Sequence, residues 1–220
     1  MSVLREARRL QRLAHRIADN EASSSAELSQ LQKAADYVLG FNMKALHRVE
    51  AVFFPFIRKE MANSEESTRQ VRGAFETVLD SLEKDRLRLQ QMSDSIQSRC
   101  SKRSNTPTPE IAQMVAAQSG AIVDLTRSML EREVSLVIPT VGRFIPEKEQ
   151  KKFNNLVINK CLGILESRCH LVHMHEVVTE ANCPKEQQLW KESIPKIPRS
   201  MVPRWKRTLY EPRSSALENL

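Results

Sequence analysis

The sequence predicts an all-α protein, an antiparallel helical bundle followed by a proline-rich, basic C-terminal extension. Three observations lead there: apolar residues recur at helical spacing along several long segments, helix-start signals precede those segments, and no run alternates as a strand would. A chain of 220 residues can bury a core of its own without staples. The boundaries drawn are residues 1–180 for the bundle and 181–220 for an extended C-terminal tail.

The first helix is expected over residues 3–20, where Leu4, Leu10, Leu13 and Ile17, with the alanines between them, form an inward stripe. Ser24 and Glu27 then stand in capping-box spacing and announce a long second helix through Leu28, Leu31, Val38, Leu46, Val49 and Phe53, with a kink or stop at Pro55. Ser64, followed by Glu65 and Glu66, reads as the start of a third helix carrying Val71, Phe75, Val78, Leu82, Leu89, Met92 and Ile96. Residues 101–109 cluster Ser, Thr, Asn and Pro and read as a loop, after which Thr108, Pro109 and Glu110 restart a helix that runs to Pro139. A last helix is expected from near Pro146 through Phe153, Leu156, Leu162 and Leu165 to Val172. Prolines 184, 195, 198, 203 and 212 predict an extended tail with at most a short helix around Trp205 to Leu209.

Composition narrows the function classes. Four cysteines at irregular spacing, with no C-x-x-C pair, read as free thiols in a reducing compartment, so a cytoplasmic protein is expected. No run approaches the ~18 consecutive apolar residues of a membrane span. The Arg-rich first twenty residues also fit a mitochondrial transit peptide, although the inward stripe of a bundle helix accounts for the same residues. The formal charge of +7 favours acidic partners in encounter, while the scarcity of aromatic residues argues against a base-stacking platform. No phosphate loop, Ser-His-Asp set or nucleophilic cysteine signature is present, and no enzyme activity is expected.

Two segments repeat one another: A-L-H-R-V-E-A-V-F-F-P at 45–55 and M-L-E-R-E-V-S-L-V-I-P at 129–139, each placing polar residues a turn before an apolar run that ends in proline. In this pattern the chain resembles the hemerythrin-like (HHE cation-binding) domain family. The continuation G-R-F-I-P-E-K-E-Q-K-K-F and the tail V-P-R-W-K-R-T-L-Y-E-P-R are also similar to segments of some members. The resemblance implies a four-helix bundle of the hemerythrin-like type, and iron as the cofactor where the ligands are kept. Here they are mostly replaced: the family's histidine falls at Ala45 and Met129, its carboxylate at Glu133 and approximately at Glu50, and no histidine lies between His47 and His170. A di-iron site needs several imidazoles and carboxylates converging from the helices, and five histidines, three of them near residue 170, do not supply that set. No cofactor is therefore expected.

The remaining metal candidates are His15, His47, Glu50, Glu133 and His170. His47 and Glu50 are one turn apart and can share a face, although His47 beside Arg48 also fits a solvated surface. Glu131 and Glu133 cannot both point inward, and Glu133 is preferred. Cys169, His170, His173, His175 and Cys183 form a second constellation in which Cys169 and His173 share a helix face; buried thiols and surface imidazoles explain it more simply than zinc. The basic tail with Trp205 and Tyr210 carries no nucleic-acid motif, and nucleic acid is disfavoured as a partner. The expected function is that of a non-catalytic binding or interaction module with a protein partner; the alternative is a divergent iron- or zinc-binding protein for oxygen or metal sensing or storage.

Overall fold

The computed structural model describes residues 2–20, 24–65, 69–101, 107–157 and 161–217. Among these residues the chain is all-α, without strands. No described helix is long and apolar enough to cross a membrane.

Helix α1 (Ser2–Ala18) carries the stripe read from the sequence, and Leu10, Leu13, Ala14 and Ile17 are fully buried. It lies along α5 (Thr108–Arg132), and both helices bury small side chains, Ala7 and Ala14 on α1 and Ala112, Ala116 and Ser119 on α5. Small residues let two helix axes approach closely, and each large apolar side chain buried beside them contributes about 1.5–3 kcal/mol. The approach leaves little room: a Cβ at Gly120 would stand 3.0 Å from Gln11 Nε2.

Ser24 caps α2 (Ser25–Ala35) as its spacing predicts, with the Ser24 amide donating to Glu27 Oε2 at 2.8 Å and the Glu27 amide to Ser24 Oγ at 3.3 Å. The helix continues through a π-helical stretch, Asp36–Met43, into α3 (Lys44–Asn63). Pro55 neither stops it nor ends it, contrary to the expectation from sequence. Its neighbours Phe54 and Ile57 are fully buried, and packing outweighs the hydrogen bond that proline forgoes. Ser64 is the C-cap of α3, and residues 66–68 of the expected helix start lie outside the described residues.

Helix α4 (Arg69–Ser101) returns antiparallel to it. Arg58 binds Asp80 at 2.8 Å and Glu83 at 3.1 Å, while Asp36, earlier on the same helix, accepts from Gln97 at 3.4 Å. The expected loop after Ser101 falls mostly outside the described residues, and α5 begins behind Pro107, with Pro109 in its first turn. A second π stretch, Glu133–Val137, links α5 to α6 (Ile138–Phe144), and Pro139 follows it by two residues. The wider π turn relieves the clash between a proline ring and the carbonyl four residues before it.

The single helix expected from Pro146 to Val172 is two. Helix α7 (Glu147–Leu156) packs Phe153 against Phe56 at 4.6 Å and Phe53 at 5.2 Å between ring centres. Helix α8 (Ile164–Glu180) starts afresh after Gly163, whose amide donates to Glu166 Oε2 at 2.8 Å.

The extended tail is corrected as well. It forms α9 (Pro184–Ser193), α10 (Lys196–Trp205), a π stretch Lys206–Tyr210, α11 (Glu211–Ser214) and a 3₁₀ turn Ser215–Leu217. Pro184 and Pro212 sit in first turns and Pro195 is an N-cap, places where the missing amide costs nothing. Val202, Tyr210 and Leu217 are buried in the same core as α1.

Candidate functional site

The two proline-ended repeats bring His47, Glu50 and Glu133 into one neighbourhood. His47 and Glu50 are both buried on α3, with His47 Nδ1 3.5 Å from Glu50 Oε2. Glu133 opens the second π stretch, and its carboxyl is pushed up to about 7, first by burial and then by the charge of Glu50, with Arg132 opposing. Glu131 is exposed, as the facing argument requires.

Both ring nitrogens of His47, Glu50 Oε2 and Glu133 Oε1 are buried without a hydrogen-bond partner. An unmet buried polar atom is costly, and such atoms collected in one place mark a group that can take up a proton, a water or a cation. His15 and His170 are exposed, on α1 and α8, although burial of part of the ring and the neighbouring His173 hold the His170 imidazole below its ordinary value. Among the described residues no set of three His, Cys, Asp or Glu side chains is placed to hold a metal ion. One imidazole and two carboxylates do not fit a di-iron centre.

A second polar cluster is more complete. Glu6, fully buried on α1, accepts from the Tyr210 hydroxyl at 3.2 Å and stands 3.5 Å from His173 Nε2, 3.6 Å from Arg5 Nη2 and 3.8 Å from Arg9 Nη1. The Tyr37 hydroxyl lies 3.3 Å from the same His173 nitrogen. Arg5 also donates to both carboxylate oxygens of Glu180, at 2.8 and 2.7 Å. Burial alone drives the Glu6 carboxyl upward, but its bond to His173 and the charges of His173, Arg9 and Arg5 outweigh this, so it sits below its ordinary value. Burial and the neighbouring negative charge push both tyrosines up, Tyr37 further than Tyr210, and keep them protonated.

This cluster ties α1, the first π stretch, α8 and the tail into one core. Glu6 and Tyr37 escape the sequence reading and Tyr210 enters it only as part of the basic tail, although a signal exists: Glu6 lies on the apolar stripe of α1, between Val3 and Leu10, where a charge needs a partner.

The second histidine and cysteine constellation comes apart. Cys169 and His173 are buried on α8, but His173 is engaged by Glu6 and Tyr37, and His175 packs edge-on against Trp190 at 5.0 Å between ring centres. Cys183 caps α9, and all four cysteines are free thiols. Comparison with protein-family models, with curated proteins and with solved structures finds no match to this chain.

Proposed function

We propose that the protein is a hemerythrin-like antiparallel four-helix bundle that has lost most of its di-iron ligands and works as a non-catalytic binding or interaction module. The supporting observation is the donor set at the paired repeats: His47, Glu50 and Glu133 offer one imidazole and two carboxylates, too few for two metal ions that each need near-complete coordination. The outer side of the second repeat adds to it. Val134 and Ile138, four positions apart, are 63% and 58% exposed, and apolar side chains on one exposed face suit contact with another protein.

A second reading has its own support. The orphaned nitrogens and oxygens of His47, Glu50 and Glu133 lack partners, and although the three side chains as placed do not converge on one ion, a cation held by some of them would make this a divergent iron- or zinc-binding protein for oxygen or metal sensing or storage. Elemental analysis of the purified protein for iron, zinc and manganese separates the two. A folded, metal-free protein agrees with the interaction module. Stoichiometric metal that disappears when His47 and Glu133 are replaced by alanine overturns it in favour of the second reading.

A further inference from the structure

We propose that the cleft between the first π stretch and the C-terminal turn binds a small anion, a carboxylate or phosphate monoester, carried on a flat apolar body. The cleft measures about 330 Å³ and is lined on one side by Lys33, Asp36, Tyr37 and Phe41 and on the other by Pro212, Arg213, Ser215 and Ala216. That volume is at the small end of the range of ligand pockets, roughly 300–1,000 Å³.

Its chemistry is divided. Tyr37 and Phe41 stack with ring centres 6.3 Å apart and planes 18° apart, an aromatic wall of which Phe41 is only half-buried. The Arg213 guanidinium lies 5.9 Å from the centre of the Phe41 ring and is steadied by donating from Nη1 to the Leu209 carbonyl at 2.8 Å. A guanidinium carries five N–H donors, so others remain for a ligand. Lys33 is exposed and makes no ion pair with any described residue. Among the described residues Asp36 is the one acid lining the cleft, and its Oδ1 accepts from Gln97 of α4 at 3.4 Å. Two cations against one acid favour an anion at the rim, and the aromatic wall favours a flat body beneath it.

His47, Glu50 and Glu133 line no part of this cleft, so the inference stands apart from the function proposed above. Because one wall belongs to the tail and the other to α2 and the π stretch, a ligand here also fastens the two together. Binding to the folded form alone raises the unfolding temperature.

The test uses the full chain and four probes followed by isothermal calorimetry and saturation-transfer NMR. 3-Phenylpropionate and phenyl phosphate carry the body with a carboxylate or a phosphate, phenethylamine carries it with the opposite charge, and inorganic phosphate carries the charge without the body. Saturable binding of either acid, at least about tenfold tighter than the amine and than inorganic phosphate, is expected, and whichever acid binds tighter names the anion. Lys33→Met, at an exposed position that does not endanger folding, weakens the acid about fivefold, Arg213→Met does the same, and Asp36→Asn tightens it. Equal binding of the amine, inorganic phosphate as tight as phenyl phosphate, affinity unchanged in Lys33→Met, or no saturation of either acid below about 10 mM would each overturn the proposal.

Discussion

Glu6 and Tyr210 stand 204 positions apart in the chain, yet the Tyr210 hydroxyl donates to the Glu6 carboxylate at 3.2 Å with both side chains buried. The bond joins the first helix to the last turns, and it explains how a carboxylate survives on an otherwise apolar helix face. A buried charge is tolerated where donors and cations surround it, and Glu6 has Tyr210, His173, Arg5 and Arg9.

Removing the donor should expose that dependence. Glu6 Oε2 already has no partner, so Tyr210→Phe leaves the carboxylate further short and is expected to cost about 1–3 kcal/mol in urea unfolding. A double-mutant cycle with Glu6→Gln should show a coupling of about 0.5–3 kcal/mol between the two positions. Additive effects would mean that the two side chains do not interact.

How much of this was readable depends on which signals act locally. The stripe of α1, the Ser24 and Glu27 box and the first turn at Pro109 are set by residues within a turn or two, and they read correctly. The tail did not. Its prolines read as breakers, but Pro184 and Pro212 occupy first turns and Pro203 is carried inside α10 because Val202 beside it is buried. The pairing of His47 with Glu50 follows from helical spacing, whereas Glu6 draws His173 and Tyr210 from two distant segments, a long-range arrangement that one sequence does not encode in any local pattern.

Glu133 and Glu6 should respond to pH with opposite signs. The Glu133 carboxyl is raised from 4.5 to about 7, so between those values the folded protein keeps a proton that the unfolded chain has released. Stability therefore falls as pH rises through that window and levels off above it, a loss on the order of 3 kcal/mol. Glu6 is depressed, so its contribution is present above 4.5 and is lost as pH falls through its lower folded value. Urea unfolding of wild type and Glu133→Gln at about pH 5 and about pH 8 checks the first sign. The variant should lose the downward slope and be the more stable protein at the higher pH; a slope unchanged by the substitution would place its origin in another group.

Two glycines should respond differently to the same substitution. A Cβ at Gly73, inside α4, meets nothing within 4 Å, so Gly73→Ala is expected to stabilise by about 0.5–1 kcal/mol through helix propensity. At Gly40 in the first π stretch a Cβ would collide with Gln97 Nε2, which must then leave Asp36. Thermal melts should show a gain for Gly73→Ala and none for Gly40→Ala. Equal gains would show that Gln97 moves aside freely.

The tail offers the strongest test of the fold. Its Val202, Tyr210 and Leu217 are 2%, 3% and 1% exposed, Gln30 donates to the Ala216 carbonyl at 3.0 Å, and Lys206 pairs with Glu176 at 2.8 Å. Losing three buried apolar side chains at about 1.5–3 kcal/mol each approaches the 5–15 kcal/mol total stability of an ordinary domain. Deleting residues 183–220 also strips Glu6 of its hydroxyl donor while leaving its charge on α1. The truncated chain is therefore expected to be partly unfolded, with dye-binding apolar surface and a protease-sensitive α1, and Glu6→Leu within it should recover part of the loss because the orphaned charge is then gone. A truncated chain that melts like the full one would instead make residues 183–220 a separable appendage, and the burial of Glu6 would then rest on α8 and the arginines of α1 alone.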